Sequence, residues 1–293
     1  MKQPAVGFGV TGAGPSRRGY PRLIVARAKL TLSLRVLGRR PDGFHDLEAL
    51  VTSVADPHDV VELAPRPEGV TVAVSGPAAA GVPAGPANLA HRAATASGAA
   101  VAVTLHKTIP AGAGLGGGSA DAAAVLGGLG SADLQAKAAE LGSDVPFCLT
   151  GGLAWMRGRG EMLEPLEPLD GPALVIAVPP FALSTADVYA TWDRLGGPRS
   201  ERRCPPPPAL RALLPEGLVN DLEPAALAAE PRLGPFRRSL EALTGHQAGM
   251  AGSGPACFVF ASDEEQARDM AVAAAALGAR TFATRPAARG VEG

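Results

Sequence analysis

The sequence is short of several things that whole classes of protein require. It has three cysteines, Cys148, Cys204 and Cys257. They lie far apart with no CxxC pair, so neither a disulfide framework nor a zinc site is expected. Reduced cysteines beside apolar or proline-rich sequence point to a cytoplasmic protein. No apolar run reaches the ~18 residues of a membrane-spanning helix. The best stretch, Leu174 to Leu183, is broken by Pro179 and Pro180. An excess of one charge is missing too. Lys and Arg number 27 against 28 Asp and Glu, which leaves no concentrated basic field for nucleic acid or an anionic membrane.

What is present is apolar sequence, 46% of 293 residues, enough for one large domain or two ordinary ones. Residues 1–21 have no continuous apolar core and read as a disordered tail rather than a signal peptide. Ordered sequence starts near Leu23. Alternation and β-branched residues predict strands over 23–34, 59–63, 70–75, 101–105, 173–178, 257–261 and 280–284. Helices are expected over 88–97, 120–129, 134–141 (capped by Ser131 or Asp133), 185–195 (capped by Ser184 or Thr185), 233–243 and 264–277. Residues 196–208, with four consecutive prolines, read as a loop or insert. Strands and helices mix in both halves, so the expected class is α+β, with domains over 22–169 and 170–293.

The strongest local signal is Pro110-Ala111-Gly112-Ala113-Gly114-Leu115-Gly116-Gly117-Gly118-Ser119-Ala120, between an expected strand and an expected helix. Glycine lets a backbone turn and approach a ligand without a Cβ in the way, as expected at Gly116 and Gly117. Successive N–H groups at a helix N-terminus suit a chain of phosphates. Ser119 adds a hydroxyl for phosphate or Mg2+. No GK[ST] follows, so this is not a Walker A loop, and no acidic ribose-binding residue follows in the Rossmann manner.

At this point the residues resemble a known family. KTIPAGAGLGGGSADAAAVL, from Lys107 to Leu126, is similar to the nucleotide-binding motif of the GHMP kinases. ARAKLTLSLRVLGRRPDGFHDLEALV, from Ala26, resembles the PAKINLFL and RxDGYHxLxT segments of the diphosphocytidyl-methylerythritol kinase branch. LGSDVPFCLTGGLAWMRGRGEML, from Leu141, resembles its GADVPFFLxGGxAxxxGxGE segment, and MAGSGPACFVF, from Met250, its C-terminal glycine motif. Ala26-Arg27-Ala28-Lys29 replaces the usual proline-containing lead-in, the segment between the glycine-loop helix and SDVPF is shorter than usual, and three single positions also depart from the pattern. Thr31 stands where the family has Asn, Phe44 where Tyr is usual, and Ala120 where a second serine or an asparagine is usual.

The resemblance implies ATP-dependent phosphorylation of the 2-hydroxyl of a diphosphocytidyl-methylerythritol, in the non-mevalonate route to isoprenoid precursors. It implies an N-terminal domain like ribosomal protein S5 domain 2, a ferredoxin-like C-terminal domain, and a site between them. ATP is implied as phosphoryl donor, with Mg2+ arriving on its phosphates; no carboxylate pair for the metal is evident, and its ligands stay unassigned. The protein is expected to act as a monomer or homodimer. Asp144 is the expected base or orienting group for the hydroxyl, or else a helix N-cap or turn residue. Lys29 is the expected cation beside it, or else an edge lysine. Phe44 is expected to stack on cytosine and His45 to bond its edge; the alternative is a core Phe and a surface His in a turn. Thr31 and Thr185 are assigned to the substrate pocket and Gly252-Ser253 to a loop over substrate phosphates, with a cap and a hairpin turn as alternatives for Thr185 and the loop. Asn88 binds the adenine side or caps the next helix.

Overall fold

The computed structural model describes residues 21–167, 169, 173–197 and 219–293. The expected N-terminal tail and nearly all of the proline-rich stretch, with Cys204, lie outside the described residues.

The chain opens with two long antiparallel strands, β1 (Arg22–Arg39) and β2 (His45–Pro65), joined by a turn over Asp42 and Gly43. Then come β3 (Val70–Ser75), α1 (Leu89–Ser97), β4 (Val101–His106), α2 (Gly117–Leu129), α3 (Leu134–Leu141), α4 (Val145–Thr150), β5 (Leu153–Gly158) and β6 (Met162–Leu166). The first sheet runs β1-β2-β4-β3, with β5 and β6 extending β2 beyond its contact with β4. The β3–β4 pair is parallel and crosses over through α1.

The second unit runs β7 (Leu174–Val178), α5 (Thr185–Arg194), α6 (Glu223–Ala229), α7 (Leu233–Thr244), β8 (Gly249–Met250), β9 (Cys257–Phe260), α8 (Glu264–Ala275) and β10 (Arg280–Thr284). Its sheet order is β10-β7-β9-β8 with antiparallel neighbours throughout. Strand, helices, two strands, helix, strand in that order is the ferredoxin-like arrangement. The chain then returns to the first sheet: β11 (Pro286–Ala287) pairs with β2 and β12 (Val291–Glu292) pairs with β1. Residues 286–293 therefore belong structurally with the first sheet, although the expected second domain contained them. The expected strands over 59–63 and 101–105 are portions of longer ones, and β5, β6 and the first half of β2 were not expected.

The alternation in β1 positions the site. Ala26, Ala28, Leu30 and Leu32 face one core cluster together with α2, whose Ala120 to Leu126 are all buried. Side chains in a strand alternate faces, so Lys29 and Thr31 project to the other side, into the cleft between the two units. Beyond the register shift at Thr31/Ser33, Leu34 and Val36 join a second cluster with β7, α5 and α7. The two cores thus meet along one strand, and its polar residues lie at their junction.

Candidate active site

A cleft of about 900 Å³ lies at that junction. The glycine loop forms one wall. Gly112, Gly114 and Gly116 have φ of 69°, 79° and 70°, a left-handed conformation that costs glycine nothing. The loop is tied down on both sides: the Lys29 N–H donates to Leu115 O at 3.0 Å and the Ala256 N–H to Ala113 O at 3.3 Å. Gly116 is the N-cap of α2 and supplies no side chain to its first turn. The N–H groups of that turn are left for a ligand.

The space beside two of these glycines is filled by protein, which corrects the reason expected for them. A Cβ on Gly116 would lie 2.7 Å from Lys29 Cγ, and one on Gly117 would lie 2.9 Å from Ile109 Cγ2. Glycine there admits neighbouring side chains rather than phosphate. Ala120 is likewise corrected. It is fully buried in the core beneath the loop and does not line the cleft. Pro110 through Ser119 do line it.

Beneath the loop lies an ionic group that the sequence reading missed. Lys107 Nζ bonds Asp59 Oδ2 and, at 2.5 Å, Asp121 Oδ2, with all three side chains buried. Asp59 Oδ1 accepts the N–H groups of Thr108 and Ile109 at 2.6 and 2.9 Å, fixing the entry to the loop. Burial opposes charge on Lys107, but the two carboxylates outweigh it and raise its pKa. Burial pushes Asp121 up to about 7, with Lys107 opposing and Asp59 adding to the rise. Its Oδ1 is buried without a partner. The only sequence signal was three charged residues in apolar surroundings.

Lys29 Nζ stands 3.5 Å from Asp144 Oδ2 and donates to Thr31 Oγ1 at 3.2 Å. Asp144 occupies the N-cap position of α4, yet its backbone is already helical (φ −86°, ψ −14°) and its carboxylate caps nothing. The turn-or-cap alternative therefore leaves that carboxylate unexplained. Asp133 also makes no side-chain cap on α3, contrary to expectation.

The C-terminal glycine motif closes over the same place. A Cβ on Gly252 would lie 3.4 Å from Thr31 Oγ1 and 3.6 Å from Lys29 Nζ. Ser253 Oγ and Thr185 Oγ1 share a hydrogen bond at 2.8 Å. The cap of α5 is Ser184, which accepts from the Asp187 N–H, so Thr185 is released to face the cleft. Asn220 was missed. Its amide donates to Met250 O at 2.9 Å and Gly252 O at 2.7 Å, pinning the glycine motif to a segment that lies along β1.

At the far end, Phe44 is 50% exposed, with the Arg159 guanidinium 4.9 Å from its ring centre. That exposure excludes a core role. His45 is buried, stacked on Tyr189 at 4.8 Å and bonded through Nε2 to Asp193 Oδ1 at 2.9 Å. Tyr189, a cleft-lining aromatic absent from the expected set, has its phenol pushed up by burial. Asn88 is a cap: Oδ1 accepts the Ala90 N–H at 2.8 Å and Nδ2 donates to Pro83 O at 2.6 Å. It also lines the cleft, and its amide keeps a second N–H.

The cleft brings together a glycine-rich helix start, an ammonium–carboxylate pair and an exposed aromatic ring. Known proteins share this chain's design. Residues 84–152 match the GHMP kinases N terminal domain and residues 207–280 the GHMP kinases C terminal domain. The chain is 41% identical over 266 residues to a 4-diphosphocytidyl-2-C-methyl-D-erythritol kinase of Pelotomaculum thermopropionicum, covering 84% of this chain and 91% of that one. The crystal structure of a 4-(cytidine 5'-diphospho)-2C-methyl-D-erythritol kinase superposes with a TM-score of 0.73 at 36% identity, covering 90% and 98% of the two chains. A homoserine kinase from Cytophaga hutchinsonii gives 0.68 at 19% identity over 95% and 98%, a likeness of fold alone. The chain is therefore a member of the GHMP kinases, in the 4-diphosphocytidyl-2-C-methyl-D-erythritol kinase family.

Proposed function

We infer that this chain transfers the γ-phosphoryl group of ATP to the 2-hydroxyl of 4-diphosphocytidyl-2-C-methyl-D-erythritol, a step of the non-mevalonate route to isoprenoid precursors. The observation that carries the reading is the placement of Lys29 and Asp144, 3.5 Å apart, between the glycine loop and the Phe44–His45 end of one cleft.

Phosphoryl transfer is governed by positioning and charge. The N-terminus of α2 and the loop N–H groups hold the ATP phosphates. Asp144 takes the proton of the substrate hydroxyl as its oxygen bonds the γ-phosphorus, and the β–γ bridging bond breaks to release ADP. Lys29 supplies positive charge beside both the carboxylate and the moving phosphoryl group. Phe44 offers a ring face to cytosine, and Gly252 with Ser253 covers the substrate diphosphate.

Mg2+ would shield phosphate charge. Among the residues that line the cleft, Ser119 offers a hydroxyl and Asp144 a carboxylate beside the loop. Among the described residues no cluster of three His, Cys, Asp or Glu side chains could hold an ion alone. That donor set fits an ion carried largely by phosphate oxygens and water.

We place the enzyme in the cytoplasm, as a monomer or homodimer without nucleic-acid or membrane partners. The buried thiols of Cys148 and Cys257 support a reducing compartment, and no described helix is long and apolar enough to cross a membrane. The function is tested by ADP release from ATP with the cytidyl substrate, homoserine and mevalonate offered separately. Turnover with the cytidyl substrate alone is expected; turnover only with another alcohol overturns the assignment.

A further inference from the structure

His45 is gripped by one face of α5. Tyr189, Trp192 and Asp193 stand at i, i+3 and i+4, the spacing that brings helix side chains together. Tyr189 stacks on the imidazole at 4.8 Å, Trp192 meets it edge-on at 5.2 Å, and Asp193 Oδ1 takes Nε2 at 2.9 Å. Arg39, on β1, lies 3.7 Å from the other Asp193 oxygen and keeps that carboxylate turned toward the ring. His45, Tyr189 and Asp193 all line the cleft.

A carboxylate only accepts hydrogen bonds, so Nε2 must carry the hydrogen. In a neutral imidazole the other nitrogen, Nδ1, then has only a lone pair to offer. Nδ1 has no partner among the described residues, and it is not one of the buried polar atoms left without one. The ring therefore presents an acceptor of fixed direction to the cleft. A carboxylate behind a histidine orients metal-bound imidazoles in the same manner.

We propose that Asp193 is a positioning residue that sets base specificity: by fixing His45 as the Nε2–H tautomer, it selects a pyrimidine carrying an exocyclic amino group, cytosine, over uracil. At the fourth ring position cytosine carries an NH2 donor, where uracil carries a carbonyl acceptor. The amino group can donate to Nδ1. The carbonyl would set lone pair against lone pair, with both groups stripped of water. This rests on the reading of Phe44 and His45 as the cytosine site, and it adds the residue that makes His45 discriminate.

Two measurements test it. The first is the tautomer of His45, read from its ring 15N shifts at about pH 8, above the ordinary histidine value of about 6.5, and assigned with His45→Gln. The Nε2–H form is expected; the Nδ1–H form overturns the proposal. The second is the affinity of CDP and UDP by calorimetry. Wild type is expected to prefer CDP by about tenfold or more, the worth of a hydrogen bond gained against a group left unpaired. Asp193→Ala should bring the two within about threefold with ATP affinity unchanged, and Asp193→Leu, which has no acceptor for Nε2–H, serves if the alanine variant does not fold. Wild-type preference retained in these variants overturns the proposal, as does a loss of ATP affinity in both, which would make Asp193 a structural residue. Equal wild-type binding of CDP and UDP, as when uracil offers its N3–H to Nδ1, overturns the proposal and leaves the kinase reading standing. Binding of neither overturns both.

Discussion

The ammonium of Lys29 and the carboxylate of Asp144 face each other at 3.5 Å from two separate elements, β1 and the start of α4. Asp144 caps no N–H, so Asp144→Asn should leave thermal stability nearly unchanged while lowering kcat by about a hundredfold or more, the usual share of a general base. Lys29→Ala should also lose activity, and the double variant should fall by less than the product of the single losses. Single-turnover transfer at saturating ATP and substrate reads this. An Asp144→Asn enzyme that keeps more than about a tenth of the wild-type rate would make Asp144 a bystander.

Phe44 is half exposed at the end of the cleft opposite the phosphates. Its truncation removes little buried packing, so Phe44→Ala should melt near the wild-type temperature. Base stacking is worth about 1–3 kcal/mol, and KM for the cytidyl substrate should rise by about 5- to 150-fold with KM for ATP steady. Phe44→Tyr should be mild. A rise confined to ATP would place the ring at the wrong end of the site.

Asp121 gives stability a pH dependence of definite sign. Burial raises its pKa to about 7, while in the unfolded chain the group ionises near the ordinary value of about 3.9. Between those values the folded state binds more protons, so the contribution to stability is full below about pH 4 and is lost as pH rises through about 7. Urea midpoints measured between about pH 4 and pH 8 should therefore fall less steeply in Asp121→Asn than in wild type. Parallel slopes for the two proteins would show that Asp121 is ionised throughout.

Asn220 donates to two carbonyls of the C-terminal glycine motif. Asn220→Ala leaves both acceptors unpaired next to substrate, at a cost of about 1–3 kcal/mol. We expect a lower Tm together with a raised KM for the cytidyl substrate. A lower Tm with unchanged kinetics would confine Asn220 to folding.

Much of this was legible because local chemistry and tertiary structure agree. The limits of β3, α1, α5, α7, α8 and β10 follow from alternation and caps such as Ser184, and the glycine loop sits where a strand gives way to a helix. Three kinds of feature were hidden. Strands β5 and β6 contain no β-branched residue, and form by pairing with β2 and each other. The Asp59–Lys107–Asp121 group and the Asn220 clasp join residues far apart in the chain, and no spacing announces them. The strands β11 and β12 are two residues each, too short for any periodicity, and exist because an edge of the first sheet awaits them.

That return of the chain to β1 has a consequence for how the protein comes into being. Val25 pairs with Glu292 and Ala26 with Val291, a few residues from Lys29, and the Arg27 N–H donates to Gly290 O at 2.9 Å. During synthesis the first sheet emerges long before these partners, and domains tend to fold as they emerge. Its β1 edge must wait, unpaired, while the whole ferredoxin-like unit is made, and an open edge invites pairing with other chains. The strand bearing Lys29 is thus among the last to be closed. An incomplete chain cut off before β12 would carry the glycine loop, Lys29 and Asp144 around an unfinished sheet.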